Sequence, residues 1–294
     1  MKSGVKRTTP YKVISIIILV ILAILFLFPL YWIVTGAFKP TTDIYASQPV
    51  WWPSEWVTSN FEKLFTKRSA PLFEIGALVG PTVPAAIRWL VNTVFMSVAA
   101  MLLTCITAAM AGYALAKKRF VGRTLLFSLI ICAMALPKQV ILIPLLKEMS
   151  ALKLYGSLWA VIFPTVGWPF GVFLMKQFCE SVPGEMLEAA RIDGASEART
   201  FTQIVVPLIK PGIGALAIFT FINSWNDYFM QLVMLPNSAN FTISLGIATL
   251  QGESSVDTGL LMSDAALAAV PIIVVFLIFQ KYFTQGITMG AVKG

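Results

Sequence analysis

Two clusters hold the polar chemistry of an otherwise apolar chain. The first is Glu188-Ala189-Ala190, followed by Asp193-Gly194-Ala195 and, further on, by Ile204 and Pro207. The second is Asn223, Asn226, Asp227, Met230 and Gln231, inside a long apolar run. Neither set is a catalytic constellation. The chain has no histidine, so imidazole catalysis and imidazole metal sites are excluded. Cys105, Cys132 and Cys179 are isolated within or beside apolar stretches, which is the pattern of small buried hydrophobes and not of a metal cluster or disulfide framework. No Gly-rich phosphate loop ending in Gly-Lys-Ser or Gly-Lys-Thr occurs, so nothing in the chain is expected to hold a nucleotide. The expectations are therefore no catalytic residues, no metal and no cofactor on this chain.

The elements that position these residues follow from composition. Apolar residues make up 57% of the 294 and charged residues 12%, with mean hydropathy +0.81. A soluble domain carries about 25% charged residues, so the main solvent here is lipid. The net charge of +8 fits cationic loops at a membrane surface better than a nucleic-acid ligand. Crossing the hydrocarbon core takes about 20 apolar residues, and six runs qualify. They are residues 13–33, 87–116, 124–146, 157–175, 211–235 and 264–282. The first follows Lys2, Lys6, Arg7 and Lys12 but is too long for a signal-peptide core and lacks a small-residue cleavage site, so it reads as an uncleaved span. Pro137 and Pro144 interrupt the third run, Pro164 and Pro169 the fourth, and Pro271 the sixth. Interrupted spans suit a bundle or a wet cavity, where freed carbonyls find partners. Ala108 and Gly112 form a small-xxx-small pair, and alanines crowd the start of the sixth run, so close helix crossings are expected. The fold class is thus all-α, a polytopic bundle of six transmembrane helices.

With six spans both ends share one side. That side collects 14 Lys and Arg against 7 on the other, with Lys138 inside a span, which places both termini in the cytoplasm. Residues 1–12 form a cytoplasmic N-terminus, 13–284 the membrane domain and 285–294 a short, flexible cytoplasmic tail. The loop from Ala37 to Ala86 lies outside, and its Trp51, Trp52 and Trp56 suit interface anchoring, with sugar stacking the alternative.

The stretch 181–210, between spans four and five, reads as a helix-turn-helix on the membrane surface. Ser181 and Pro183 are expected to open the first helix, with Glu185 and Glu188 in its early turns. Gly194 can take the left-handed conformation that ends it, and Ser196 can cap the second. Met186, Leu187, Ala190, Phe201, Ile204 and Val205 are its apolar positions.

The pattern Glu188-Ala189-Ala190, Gly194, a nine-residue gap, then Ile204 and Val206-Pro207 resembles the EAA loop of ABC importer permeases, with Val206 in place of leucine. The wider run, with Ser224-Trp225-Asn226-Asp227 and the terminal Gly286–Gly294, is similar to the MalG-like permeases of bacterial carbohydrate importers. The resemblance implies a subunit of a bacterial inner-membrane importer. Its loop would couple to a cytoplasmic ATPase through Glu188, Ala189, Ala190, Asp193, Gly194, Ala195, Ile204 and Pro207. It further implies a second permease, two ATPase subunits that bind ATP and Mg, an extracytoplasmic solute-binding protein and a sugar substrate. Its tail would reach the ATPase interface.

In span five the offsets 3, 4, 7 and 8 from Asn223 put Asn226, Asp227, Met230 and Gln231 on one helical stripe. A carboxylate there is expensive, so Asp227 faces the bundle interior or water. The stripe reads as a lining or gate of a translocation path, or as interhelical glue worth about 1 kcal/mol per contact. Lys138 is a conceivable partner of Asp227. An ion-driven secondary transporter and a non-transporting scaffold are the rival classes; the first commonly shows inverted repeats and charged midplane sites, and the second needs no such loop.

Overall fold

The structure, a computed structural model, describes residues 10–75, 78–252 and 257–291. Lys2, Lys6 and Arg7 of the basic N-terminus and residues 292–294 of the tail lie outside the described residues. The chain runs α1 (Pro10–Ala37), α2 (Thr41–Ile44), α3 (Ser59–Thr66), β1 (Ser69–Pro71), β2 (Glu74–Ile75), β3 (Leu78–Val79), β4 (Thr82–Pro84) and α4 (Ala85–Lys117). It continues through α5 (Arg123–Met134), α6 (Lys138–Ala151), α7 (Trp159–Val166), α8 (Pro169–Glu180), α9 (Gly184–Ile192) and α10 (Glu197–Thr200). A π-helical turn, Phe201–Val205, leads into α11 (Val206–Leu208), α12 (Lys210–Asn226) and α13 (Tyr228–Met234). A 3₁₀ turn at Ser238–Asn240, α14 (Ile243–Gly252) and α15 (Thr258–Ala291) complete it.

Four helices are long and apolar enough to cross a membrane, or up to six spans if each of two bent pairs counts as one. The expected third span is one such pair: α5 and α6 meet at 108°. Pro137 is the cause. It cannot donate to a helical ladder, and it opens α6 in an extended conformation (ψ 132°). Pro164, by contrast, stays inside α7, and Pro169 is the first residue of α8, where a missing N–H costs little. The chain is mostly helical, as expected, with two short antiparallel ladders added ahead of α4, β1 with β4 and β2 with β3. Helix α15 runs on through Ala291, into the segment expected as a tail.

Helix α4 is the axis of the bundle. Its buried face includes Trp89, Met96, Ala100, Thr104, Ala108 and Gly112. The small residues let α8 approach closely. A Cβ on Gly112 would sit 2.7 Å from the backbone nitrogen of Lys176, and one on Gly171 would sit 3.3 Å from the Cβ of Ala108. Because the atoms that meet at Gly112 are backbone, relief requires the helices to separate. Gly112→Ala is expected to destabilise the protein by about 1–3 kcal/mol, outweighing the roughly 1 kcal/mol gain in helix propensity. Thermal unfolding of the purified protein in detergent checks this; an unchanged or raised midpoint would show that the crossing is slack.

The loop before α4 is tied down through α3. Asn60 donates from Nδ2 to the carbonyls of Ala37 and Lys39, at 3.1 and 2.9 Å. Lys63 pairs with Asp257 at 3.1 Å, ahead of α15. Trp51, Trp52 and Trp56 stay exposed; Trp51 packs with Phe28 and Trp32 of α1, and Trp56 with Trp52 and Phe38. At the start of α4, Trp89 and Asn92 donate to the carbonyls of Ser238, Ala239 and Phe241, which fixes the turn between α13 and α14.

Candidate functional site

Three helix breaks meet around one cavity. The first is the α5–α6 bend at residues 135–137, the second is Gly167-Trp168 between α7 and α8, and the third is Asp227 between α12 and α13. The cavity has a volume of about 420 Å³, and Leu136, Lys138, Trp168, Asn223, Asp227 and Met230 help line it. A second depression of about 450 Å³ adjoins it, sharing Lys138, Trp168, Asn223 and Asp227 and adding Asn226. Backbone that leaves helical geometry inside an apolar bundle is tolerated where it borders protein or water, and all three breaks meet that condition here.

Lys138, the first residue of α6, points its ammonium at the carboxylate of Asp227, 3.0 Å away, and donates to Oδ1 of Asn223 at 3.3 Å. The other carboxylate oxygen of Asp227 accepts from the N–H of Met230, at 3.4 Å, and so caps α13. Lys138 is 46% exposed and Asp227 15%. Lys138 is the accessible half of the pair and Asp227 the covered half, and both side chains border the cavity. The cavity therefore offers an amide, an ion pair with no net charge and the ring of Trp168.

The expected stripe does not hold together. The backbone leaves the helix at Asp227 (ψ 61°), so offsets counted through it lose their meaning. Asn223, Asp227 and Met230 line the first cavity and Asn226 only the second, where its amide donates to the carbonyl of Ile222. Gln231 is fully buried away from both. Its Nε2 donates to the carbonyl of Ser224 at 3.0 Å, and its Oε1 accepts from Thr242 at 2.6 Å. It locks the break instead of lining a path.

The loop between α8 and α12 forms the other candidate site. Helix α9 starts at Gly184 with no side-chain cap. Ser181, expected to cap it, donates instead to the carbonyl of Phe178 and closes the end of α8. The end of α9 has two characteristic hydrogen bonds. Gly194 N–H reaches the carbonyl of Arg191 at 3.1 Å, and Ala195 N–H that of Ala190 at 2.9 Å. That is a Schellman pair, and it requires the left-handed φ of +75° that Gly194 adopts. Ser196 Oγ accepts from the N–H of Arg199 and caps α10 as expected. Leu187, Ala190 and Val205 are buried, Phe201 and Ile204 are half-buried, and Pro207 is exposed. Glu188, Ala189, Asp193 and Gly194 face outward, Ala195 is half-buried, and Met186 and Ile192 are exposed, Ile192 at 86%.

One anchor was missed in the sequence. Glu197 gathers Tyr113 and Lys118 from the end of α4 and Arg191 from α9; the tyrosine hydroxyl donates at 3.2 Å and Arg191 pairs at 3.4 Å. Phe201 packs against the Tyr113 ring, with centroids 5.4 Å apart. Nearby, Lys117 donates to the carbonyls of Glu180 and Val182. The Lys118 hydrogen bond, helped by its charge and by Tyr113 and Arg191, holds the Glu197 carboxyl below the usual range. The carboxylate form is thus favoured in the fold, so its stabilisation is complete above the ordinary value of 4.5 and is lost as pH falls below it. Glu197→Gln should leave stability at neutral pH slightly lower. It should also flatten the decline below pH 4.5 that the wild type shows in acid unfolding titrations. Identical acid profiles would remove Glu197 as the anchor.

Comparisons with known proteins bear on both sites. Residues 106–289 match the family described as binding-protein-dependent transport system inner membrane component. The arabinooligosaccharides transport system permease protein AraQ of Halalkalibacterium halodurans is 33% identical over 275 residues, covering 93% of each chain. The trehalose transport system permease protein SugB of Mycobacterium tuberculosis is 28% identical, covering 99% of this chain and 100% of that one. Among solved structures, a bacterial ABC transporter that imports the acidic polysaccharide alginate superposes with a TM-score of 0.72 at 21% identity, covering 93% of this chain and 96% of that one. The matched segment takes in both polar clusters, and the chain belongs to the family of inner-membrane permease components of binding-protein-dependent transport systems.

Proposed function

We propose that the chain forms half of the translocation pathway of an ATP-driven sugar importer, through six spans with both termini cytoplasmic. Its partners are a second permease, two cytoplasmic ATPase subunits carrying ATP and Mg, and an extracytoplasmic binding protein that delivers a sugar or oligosaccharide. The names of the relatives, which include arabinooligosaccharide and trehalose permeases, support the substrate class.

The observation that carries the reading is the knob of α9. It is anchored inward by Leu187, Ala190 and the Glu197 contacts, yet it presents Glu185, Met186, Glu188 and Ile192 uncovered among the described residues. Such a surface fits the cleft of an ATPase subunit. Its position in the chain supplies the lever. Helix α8 precedes the knob and starts at the Trp168 break; α12 follows it and ends at the Asp227 break. At 1.5 Å per residue, α8 spans about 18 Å and α12 about 25 Å. A displacement of the knob is therefore carried to two of the three breaks around the cavity, which opens it alternately to either side. In that cavity the Asn223 amide donates to and accepts from sugar hydroxyls, the Asp227 carboxylate accepts from them, and Trp168 offers a ring face.

Two measurements test the assignment. An ATPase subunit should co-purify with the chain in stoichiometric amount. Single cysteines at Ser196 and Ser238 should label from opposite sides of the membrane. Recovery of the chain alone would remove the importer reading, and labelling of both sites from outside would remove the topology.

A further inference from the structure

The turn between α4 and α5 carries a second polar pocket that the transport reading does not use. It has a volume of about 330 Å³ and is lined by Arg119, Phe120, Gly122, Arg123, Thr124 and Leu125. The four cations of this turn have different roles. Lys117 and Lys118 are engaged by the α8–α10 region. Arg123 gives one N–H to the carbonyl of Lys118, at 3.2 Å, and Arg119 makes no hydrogen bond or ion pair among the described residues. Gly122, at φ +83°, turns the chain into the first turn of α5, which no side chain caps. The pocket thus offers two guanidinium groups beside uncapped backbone N–H donors, and no carboxylate lines it.

Its surroundings are apolar. Val121 is fully exposed at the tip, and Phe120, Leu125, Leu126 and Leu129 are exposed beside it. Leu125, Leu126 and Leu129 lie in the third apolar run, so the two guanidinium groups sit where a spanning segment meets the membrane surface. We infer that Arg119 and Arg123, with the first turn of α5, form a headgroup site for an anionic phospholipid, the phosphate lying in the pocket and the acyl chains along Leu125 and Leu129. Each cation near an anionic bilayer surface contributes about a factor of five in affinity. Lys118, next in the chain to Arg119, holds Glu197 of the α9–α10 loop, so an occupied site would stiffen the joint between that loop and α4. The inference rests on the proposed topology only for which leaflet supplies the lipid.

The test is native mass spectrometry of the intact complex, released from mixed phosphatidylglycerol and phosphatidylcholine discs. The wild type should retain one phosphatidylglycerol that the Arg119→Gln/Arg123→Gln variant binds about 30-fold more weakly, while Arg119→Lys/Arg123→Lys keeps most of the occupancy. Lys147→Gln, which removes an exposed cation elsewhere, should leave occupancy unchanged. Equal occupancy in the wild type and the glutamine variant would overturn the site. So would displacement of the lipid by inorganic phosphate alone, since that marks a soluble-anion site. Loss of the ATPase subunit at unchanged lipid occupancy would assign the patch to the partner and overturn it as well. Because lipid retention is read without transport, its failure is distinct from failure of the importer reading, which shows in co-purification.

Discussion

Exchanging the two charges of the cavity, Lys138→Asp together with Asp227→Lys, is expected to restore much of the uptake that either single substitution removes. At 3.0 Å the ammonium and carboxylate leave the cavity without net charge. Removing one partner is expected to leave the bundle folded, because the contacts between the long helices do not involve this pair. It does leave an unbalanced charge in the cavity proposed to pass the solute. Two unit charges 4 Å apart at an effective dielectric constant of about 20 interact by about 4 kcal/mol, so a quarter of that alters relative uptake about five-fold. The direction follows from the sign. Asp227→Asn frees Lys138 and should shift preference from a neutral saccharide towards its uronate, whereas Lys138→Gln frees Asp227 and should exclude the uronate further. Asp227→Leu also removes the cap of α13 and should lower uptake of both. Reconstituted vesicles supplied with matched neutral and acidic sugars measure the ratio. If both single variants keep the wild-type ratio and rate, the pair belongs to the scaffold and not to the path.

Much of this arrangement was legible in the residues themselves, and the rest depended on contacts that sequence does not display. The apolar runs mark the long helices because lipid demands them. Gly194 and Ser196 were readable because left-handed turns and hydroxyl caps are local events. Ser181 was misassigned because a serine can bond backward as readily as forward, and here it bonds to Phe178. Glu197 was missed because Tyr113 and Lys118 belong to a helix about eighty positions earlier. Lys138 and Asp227 are separated by 89 positions, so their pairing was conceivable but not deducible. Gln231 was placed on the wrong surface because the break at Asp227 involves neither proline nor glycine, and a helical count runs through it unnoticed.

Gly194→Val and Glu188→Lys should each abolish uptake while leaving the protein inserted and folded, for different reasons. At Gly194 the cost is conformational. A Cβ there would meet nothing within 4 Å, so the site is not crowded, but a β-branched residue at φ +75° is strained by about 1–2 kcal/mol. The local escape is to return φ to negative values. That breaks the bonds from Gly194 and Ala195 to Arg191 and Ala190 and swings α9 away from α10. The helices packed in the bundle lie outside this change, so global stability should fall by no more than the strain. In the proposed assembly, however, the knob would no longer match the ATPase cleft. At Glu188 the backbone is untouched. The side chain is exposed and sits on the outward face of α9, so reversing its charge should act only on a partner's cation. Exposed charge pairs at an interface rim mainly alter association, so Glu188→Lys should weaken recovery of the ATPase and be partly rescued by a compensating acid on that subunit. Gly194→Val should retain more of the ATPase but lose the stimulation of hydrolysis by loaded binding protein, and no ATPase substitution of charge should rescue it. Uptake, ATP turnover and co-purification, measured together on reconstituted complexes, separate the two. Wild-type uptake and stimulated turnover in both variants would make this loop an ordinary connector.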